Sequence, residues 1–195
     1  MLVEHQGRRP QVAPTAYVAP NAVVAGDVVV GEGCRVLFGA VVTAEGGRVE
    51  LGEQVIVMEQ AVVRGREGHP ARIGRHSLIG PHAHVNGAVL GEAVFVATGA
   101  SVFPGASLGV GAEVRINGVV HVNSILGDGP WCPSAGVAVG NPAQILPPAE
   151  HRGDLAAPAG AGLCRHSVRD RVDLTSRGDG QGHRRLRRAV RPPPL

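Results

Sequence analysis

Two histidines, His82 and His84, stand two residues apart in the segment SLIGPHAHVNG, residues 77–87, and a third, His69, precedes them. Neutral imidazoles are common zinc ligands, and a catalytic zinc ion is held by three protein side chains. The three histidines are therefore a candidate metal site. A pair at i and i+2 is also typical of exposed residues on a β-strand, or of residues in contact between subunits. We favour this second interpretation, because the pair alone lacks the third ligand that a catalytic zinc site needs.

His121, in the segment VVHVNS, is a second candidate for chemistry. The ordinary pKa of histidine lies near neutrality, so its imidazole can act as a general base toward a hydroxyl or an amine. His82 is a candidate for the same role. The alternative for His121 is a surface histidine without a function.

Arg64, in AVVRG, and Asn86, in HVNGA, are candidate ligand-binding residues. A guanidinium group can bind an anion such as a carboxylate. For Arg64 the alternative is a salt bridge to Glu59 or Glu67. Whether any of these side chains lie together depends on the elements that position them.

A hexapeptide repeat predicts those elements. An aliphatic residue recurs every six positions, and a second, mostly small residue follows four positions later. A period of six fits neither a helix nor simple strand alternation, but it fits a short strand followed by a turn. We therefore expect an all-β solenoid with three hexapeptides per coil over residues 12–147, preceded by a lead-in strand in residues 1–11. The aliphatic series is Val12, Val18, Val24, Val30, Val36, Val42, Leu51, Val57, Val63, Ile73, Ile79, Val85, Leu90, Val96, Val102, Leu108, Val114 and Val120.

The repeat is interrupted at residues 43–50 and 65–72, where insertions are expected to form loops on one side of the solenoid. The residue after each inward aliphatic points outward, which is expected to place Arg64, Asn86 and His121 on one face. Cys34 takes a small inward position and is expected to be a buried structural thiol.

Four segments resemble, in order, the framework of the γ-class carbonic anhydrases over about residues 10–147: GDVVVGEGCRVLFGAVV, LGEQVIVMEQAVV, IGRHSLIGPHAHVNGAVLGEAVFVATGASVFPGA and GNPAQIL. The hexapeptide acyltransferases share the repeat but match this framework less well. The resemblance implies a left-handed parallel β-helix and a homotrimer. It also implies a site in which histidines of neighbouring subunits hold zinc, whose bound water attacks carbon dioxide.

The positions of the three family ligands hold Arg64, Pro81 and Asn86 instead. An arginine side chain stays protonated, and a proline side chain has no donor atom. The supporting polar positions differ as well, with IVME at residues 56–59 and TAE at residues 43–45. Classical zinc-dependent hydration of carbon dioxide is therefore not expected.

The composition of the chain indicates its cellular location and the nature of its C-terminal segment. The chain has no apolar run long enough to span a membrane, no signal-peptide pattern and three cysteines, which together favour a reducing cytoplasm. Residues 1–150 carry a net charge of −3 and residues 151–195 a net charge of +6. Residues 148–195 are rich in Arg, Gly and Pro, so we expect a disordered tail. Its segment HRRLRRAVR could contact phosphates, but without interleaved aromatic residues it does not favour a nucleic-acid partner.

Three functions follow from these patterns. The first is a ligand-binding or scaffolding trimer without a cofactor, in which Arg64 and Asn86 contact the ligand or a protein partner. The second is an acyl-CoA-dependent acyltransferase with His121 or His82 as base. The third is a hydratase whose metal site is rebuilt from His69, His82 and His84.

Overall fold

Short strands connected by tight turns make up the part of the chain that the computed structural model describes, residues 1–148. They wind into a parallel β-solenoid of about 8 coils. The tail expected over residues 148–195 lies outside the described residues except for residue 148.

Each coil contributes one strand to each of three sheets, called here I, II and III. Sheet I contains, in order, β1 (Leu2–Val3), β4 (Val23–Ala25), β7 (Val41–Glu45), β10 (Val62–Arg66), β13 (His84–Asn86), β16 (Ser101–Val102), β19 (Val119–Val120), β22 (Val137–Val139) and β23 (Gln144–Leu146). Sheet II contains β2 (Gln11–Val12), β5 (Val28–Val30), β8 (Val49–Leu51), β11 (Ala71–Ile73), β14 (Val89–Leu90), β17 (Ser107–Leu108) and β20 (Ile125–Leu126). Sheet III contains β3 (Tyr17–Val18), β6 (Arg35–Val36), β9 (Ile56–Val57), β12 (Leu78–Ile79), β15 (Phe95–Val96), β18 (Glu113–Val114) and β21 (Trp131–Cys132).

Neighbouring strands in the sheets pair in parallel, except that β23 folds back antiparallel to β22. The segment expected to be a lead-in strand contains β1, which pairs in parallel with β4. Each coil is therefore held by backbone hydrogen bonds to the coils on either side, which is how a solenoid distributes its stability.

The hydrophobic core consists of the aliphatic series that the repeat predicted. Every member from Val24 to Val120 is buried, and Val12 and Val18 on the first coil are half-buried. The small positions fill the corners as expected: the Ser77 hydroxyl accepts a hydrogen bond from the Val94 amide (3.1 Å). The Cys34 thiol is buried and donates to the Gly52 carbonyl (2.9 Å), and burial raises its pKa, so it is a structural thiol as predicted.

Both interruptions of the repeat lie between sheets I and II, one connecting β7 to β8 and the other β10 to β11. Their backbones stack through an antiparallel bridge between Gly46 and Arg66. Arg66 and His69 exchange two backbone hydrogen bonds of 2.9 Å, which closes the second loop. The loop lies against the next coil, because a Cβ added to Gly87 would come within 2.7 Å of the His69 Cβ.

The described part of the chain, residues 1–148, has no apolar helix of the length needed to span a membrane.

Candidate functional site

The outer face of sheet I brings together four polar side chains, called here the polar patch: Glu45, Arg64, His84 and Asn86. Arg64 on β10 is directly opposite Asn86 on β13 in the strand register. Since Val63 and Val85 point into the core, their strand neighbours must point outward. Glu45 ends β7, one coil before Arg64.

Within residues 1–148, Arg64 forms one ion pair, and that pair is loose. Its Nε lies 3.5 Å from the Glu45 Oε2, and the side chains are 36% and 52% exposed. The expected salt bridge to Glu59 or Glu67 is not formed, because the register of β7 and β10 brings Glu45 closer. The Nε atom is buried and has no hydrogen-bond partner within residues 1–148. An exposed ion pair of this kind contributes about 0–1 kcal/mol, so it restrains Arg64 only weakly.

Asn86 is the buried member of the polar patch. Its side chain is on the outer face, as predicted, yet the residue is only 7% exposed. Its Oδ1 atom has no hydrogen-bond partner in the described part of the chain. An unpaired buried acceptor costs about 1–3 kcal/mol of stability, so this amide is not explained by the stability of the fold.

His84 lies half-buried beside Asn86 on the same strand. Burial, and secondly the positive charge of Arg64, lower the pKa of its imidazole from the ordinary value of 6.5. The ring is therefore neutral at neutral pH, with a lone pair available to accept a proton.

The other two histidines of the predicted metal site are placed differently. His82 occupies the corner between β12 and β13 with a φ of 57°, and its amide donates to the Glu59 carbonyl (3.1 Å). His69 lies in the loop between β10 and β11. Among residues 1–148 there is no group of three or more His, Cys, Asp or Glu side chains that could hold a metal ion. The predicted set of His69, His82 and His84 is thus not assembled within one chain.

The positions at which the carbonic anhydrase resemblance implies zinc ligands do not fit a zinc ion either. Arg64 stays protonated and Pro81 offers no donor atom, which leaves only the amide of Asn86. We therefore derive no reaction step through a metal at these positions.

His121 lies on the same face as the polar patch, as predicted, but farther along it. It follows β19, and its amide donates to the Ala138 carbonyl (2.9 Å). Two strand spacings, about 10 Å, separate it from Asn86, and Phe103 occupies the coil between them.

The sequence analysis considered His84 as a metal ligand or as an exposed or subunit-contact residue, and it did not place His84 beside Arg64 and Asn86. The signal was present in the repeat: Val63 and Val85 occupy equivalent positions on successive coils, so the residues beside them share a face. The lowered pKa of His84 and the burial of Asn86 depend on contacts between coils, which the repeat alone does not show.

Comparison with known proteins identifies the fold. No protein-family model and no curated protein sequence matches the chain. Among solved structures, a proposed acetyltransferase from Bacillus cereus is 21% identical with a TM-score of 0.58, over 74% of this chain and 81% of that protein. UDP-N-acetylglucosamine O-acyltransferase from Moraxella catarrhalis is 16% identical with a TM-score of 0.53, over 73% of this chain and 71% of that protein.

The chain shares its fold with these two proteins. This confirms the predicted left-handed parallel β-helix of hexapeptide repeats. Identities of 21% and 16% show a common fold and leave the activity to be argued from the polar patch.

Proposed function

We propose that the chain is an acyl-CoA-dependent acyltransferase and that His84 is its general base. The observation that carries the proposal is the position of the His84 imidazole, half-buried on the outer face of sheet I beside Arg64 and Asn86. The fold shared with an acetyltransferase and an O-acyltransferase supports acyl transfer as the reaction class.

The protonation state of His84 suits this role. Burial and the nearby Arg64 charge lower its pKa, so the imidazole is unprotonated at neutral pH and can accept a proton from a hydroxyl or amine. A neutral base beside a cationic Arg64 also adds no like charge to the polar patch.

The proposed reaction is a single transfer. The acceptor's hydroxyl or amine attacks the thioester carbonyl carbon while its proton moves to His84. Collapse of the tetrahedral intermediate breaks the carbon–sulfur bond, and the CoA thiolate leaves and takes the proton from the imidazolium. Atoms and charge balance: one acyl group and one proton exchange between acceptor and CoA.

The two candidate bases named in the sequence analysis are less suitably placed than His84. His82 is exposed at a corner, and His121 is separated from Asn86 by the coil that carries Phe103. We therefore expect His82 and His121 to contribute less than His84 to the chemical step.

The test has two parts. Binding of acetyl-CoA to the full chain is measured by isothermal titration calorimetry. Release of free CoA is then measured by chromatography with a panel of hydroxyl- and amine-bearing acceptors, because the acceptor is not known. We expect binding and acceptor-dependent release that is lost in His84→Ala and kept in His121→Ala. A wild-type chain that does not bind acetyl-CoA would contradict the proposal.

A second candidate function is a ligand-binding or scaffolding homotrimer, similar to a γ-class carbonic anhydrase without its zinc. The observation that favours it is the replacement of the three expected ligands by Arg64, Pro81 and Asn86. A cytoplasmic location, expected from the sequence, belongs to this proposal as well. Metal content per subunit and the mass in solution test it: a metal-free trimer that does not bind acetyl-CoA is the expected result, and one zinc per subunit would contradict it.

A further inference from the structure

We infer that Arg64 and Asn86 of the polar patch, beside His84, bind a small hydroxy acid, a molecule that carries a carboxylate and a hydroxyl on neighbouring carbons. The role of this ligand as acyl acceptor rests on the proposed function, whereas its binding does not. The inference starts from two polar atoms on adjacent strands that lack partners within the described residues, the Nε of Arg64 and the Oδ1 of Asn86.

Arg64 can provide the carboxylate-binding group. In the resting arrangement its only ionic partner among the described residues is the Glu45 carboxylate, 3.5 Å from the Nε. That separation is too long for a good charge-assisted hydrogen bond, in which the nitrogen and oxygen are about 2.8 Å apart. A ligand carboxylate can bind the guanidinium through two parallel hydrogen bonds and so replace a weak ion pair with a stronger one.

Asn86 can bind the hydroxyl of the ligand. Its Oδ1 is an acceptor and can be satisfied only by a donor, such as a hydroxyl. The strands that carry Arg64 and Asn86 are adjacent, about 4.8 Å apart. A carboxylate and a hydroxyl on neighbouring carbons, each within about 2.9 Å of its protein partner, can bridge this spacing.

Binding must be accompanied by movement of Arg64, because both unpartnered atoms are covered in the resting arrangement. The Arg64 side chain is 36% exposed, so it can turn outward toward solvent. We expect Arg64 to turn away from Glu45 when the ligand binds, so that the ligand's hydroxyl meets Asn86 and lies beside the His84 ring.

The binding experiment uses the full chain without an acyl donor. Lactate is titrated by isothermal calorimetry alongside two matched probes, propionate, which lacks the hydroxyl, and 1,2-propanediol, which lacks the carboxylate. We expect lactate, as one of its two enantiomers, to bind at least tenfold more tightly than either probe. Comparable affinities for lactate and propionate would overturn the inference.

Three variants locate the site. Arg64→Gln should weaken lactate binding at least tenfold, and Glu45→Gln should strengthen it several-fold because Arg64 loses its competing partner. Arg72→Gln is the matched control, since Arg72 forms a similar exposed ion pair on sheet II, 3.3 Å from Glu50, and it should leave the affinity unchanged. Lactate binding that is unaffected by Arg64→Gln would overturn the inference.

This inference and the proposed function can fail separately. Lactate binding with the expected variant pattern but no acetyl-CoA binding would retain the hydroxy-acid site and reject acyl transfer. Acetyl-CoA turnover with acceptors that lack a carboxylate, together with no lactate binding, would reject the hydroxy-acid site and retain acyl transfer.

Discussion

Sheets I and II use the same position of the repeat, the residue after the inward aliphatic, in opposite ways. On sheet II it is glycine on six successive coils: Gly31, Gly52, Gly74, Gly91, Gly109 and Gly127. On sheet I it is a different, mostly large or polar residue on each coil: Thr43, Arg64, Asn86, Phe103 and His121.

The difference has a steric cause. A Cβ added to Gly74 would come within 2.3 Å of the Gly91 carbonyl oxygen, and one added to Gly91 within 2.9 Å of the Gly109 carbonyl carbon. The backbone of the next coil thus occupies the space of a side chain on sheet II. On sheet I the same position accommodates side chains as large as Arg64 and Phe103. One face of the repeat is therefore constrained by stacking, and the other is free to carry chemistry.

Removal of the base should give the largest effect. In His84→Ala the rate of acyl transfer should fall about 10²–10⁴-fold, the usual contribution of a general base, with acetyl-CoA binding retained. The measurement is initial rate of CoA release at saturating acetyl-CoA. His121→Ala serves as the matched control on the same face and should keep most of the rate; the reverse pattern would place the base at His121 instead.

Substitution of the sheet II glycines should change the stability of the fold and not the rate of acyl transfer. Gly74→Ala should lower the free energy of unfolding by about 1–3 kcal/mol, since the new methyl group overlaps the backbone of the next coil. Gly127→Ala is the control from the same column, because there only the Pro130 Cγ lies within reach, at 3.9 Å. Denaturant unfolding of both variants measures the difference, and equal loss in both would mean that stacking is not the cause.

Asn86→Leu should separate stability from function on sheet I. It replaces an unpaired buried amide with an apolar side chain of the same number of heavy atoms, so the free energy of unfolding should rise by about 1 kcal/mol. Lactate binding should be lost at the same time. Such an exchange is typical of residues kept for activity at the expense of stability. A variant that is less stable and still binds lactate would show that Asn86 is structural.

The hexapeptide repeat was enough to predict the core and the faces. It identified the inward residues from Val24 to Val120, the side on which the two insertions lie, and the common face of Arg64, Asn86 and His121. These features depend on a period that is visible along the chain, and each coil repeats the same local packing.

The positions and partners of the site residues depend on contacts between coils, which cannot be predicted from the six-residue period. The spacing of His82 and His84 is typical of two residues on one strand, but a corner with positive φ falls at His82 and leaves only His84 on β13. The suggested salt bridge from Arg64 to Glu59 or Glu67 was wrong, because the register between coils places Glu45 nearer to Arg64. The burial of Asn86 likewise depends on packing between coils, which the period along the chain does not show.

The smallest expected effect is the pH dependence that His84 gives to stability. Its pKa is lowered from 6.5 in the folded chain, so the unfolded chain binds the proton more tightly. As the pH falls below about 6.5, the unfolded state is protonated first and the free energy of unfolding decreases. The decrease should level off once the pH is below the pKa of folded His84.

Because the chain contains nine histidines, the contribution of His84 is obtained as a difference. Denaturant unfolding of the wild-type chain and of His84→Gln is compared between pH 5 and pH 8, an interval of about 3 units centred on the ordinary histidine pKa. The wild-type chain should lose more stability toward low pH than the variant does. Because Arg64 is the second cause of the lowered pKa, Arg64→Gln should reduce this difference without abolishing it, since burial of the ring remains. A pH dependence that is the same in all three chains would mean that His84 is exposed to solvent and not held in the polar patch, and it would also remove the reason for expecting a neutral base there.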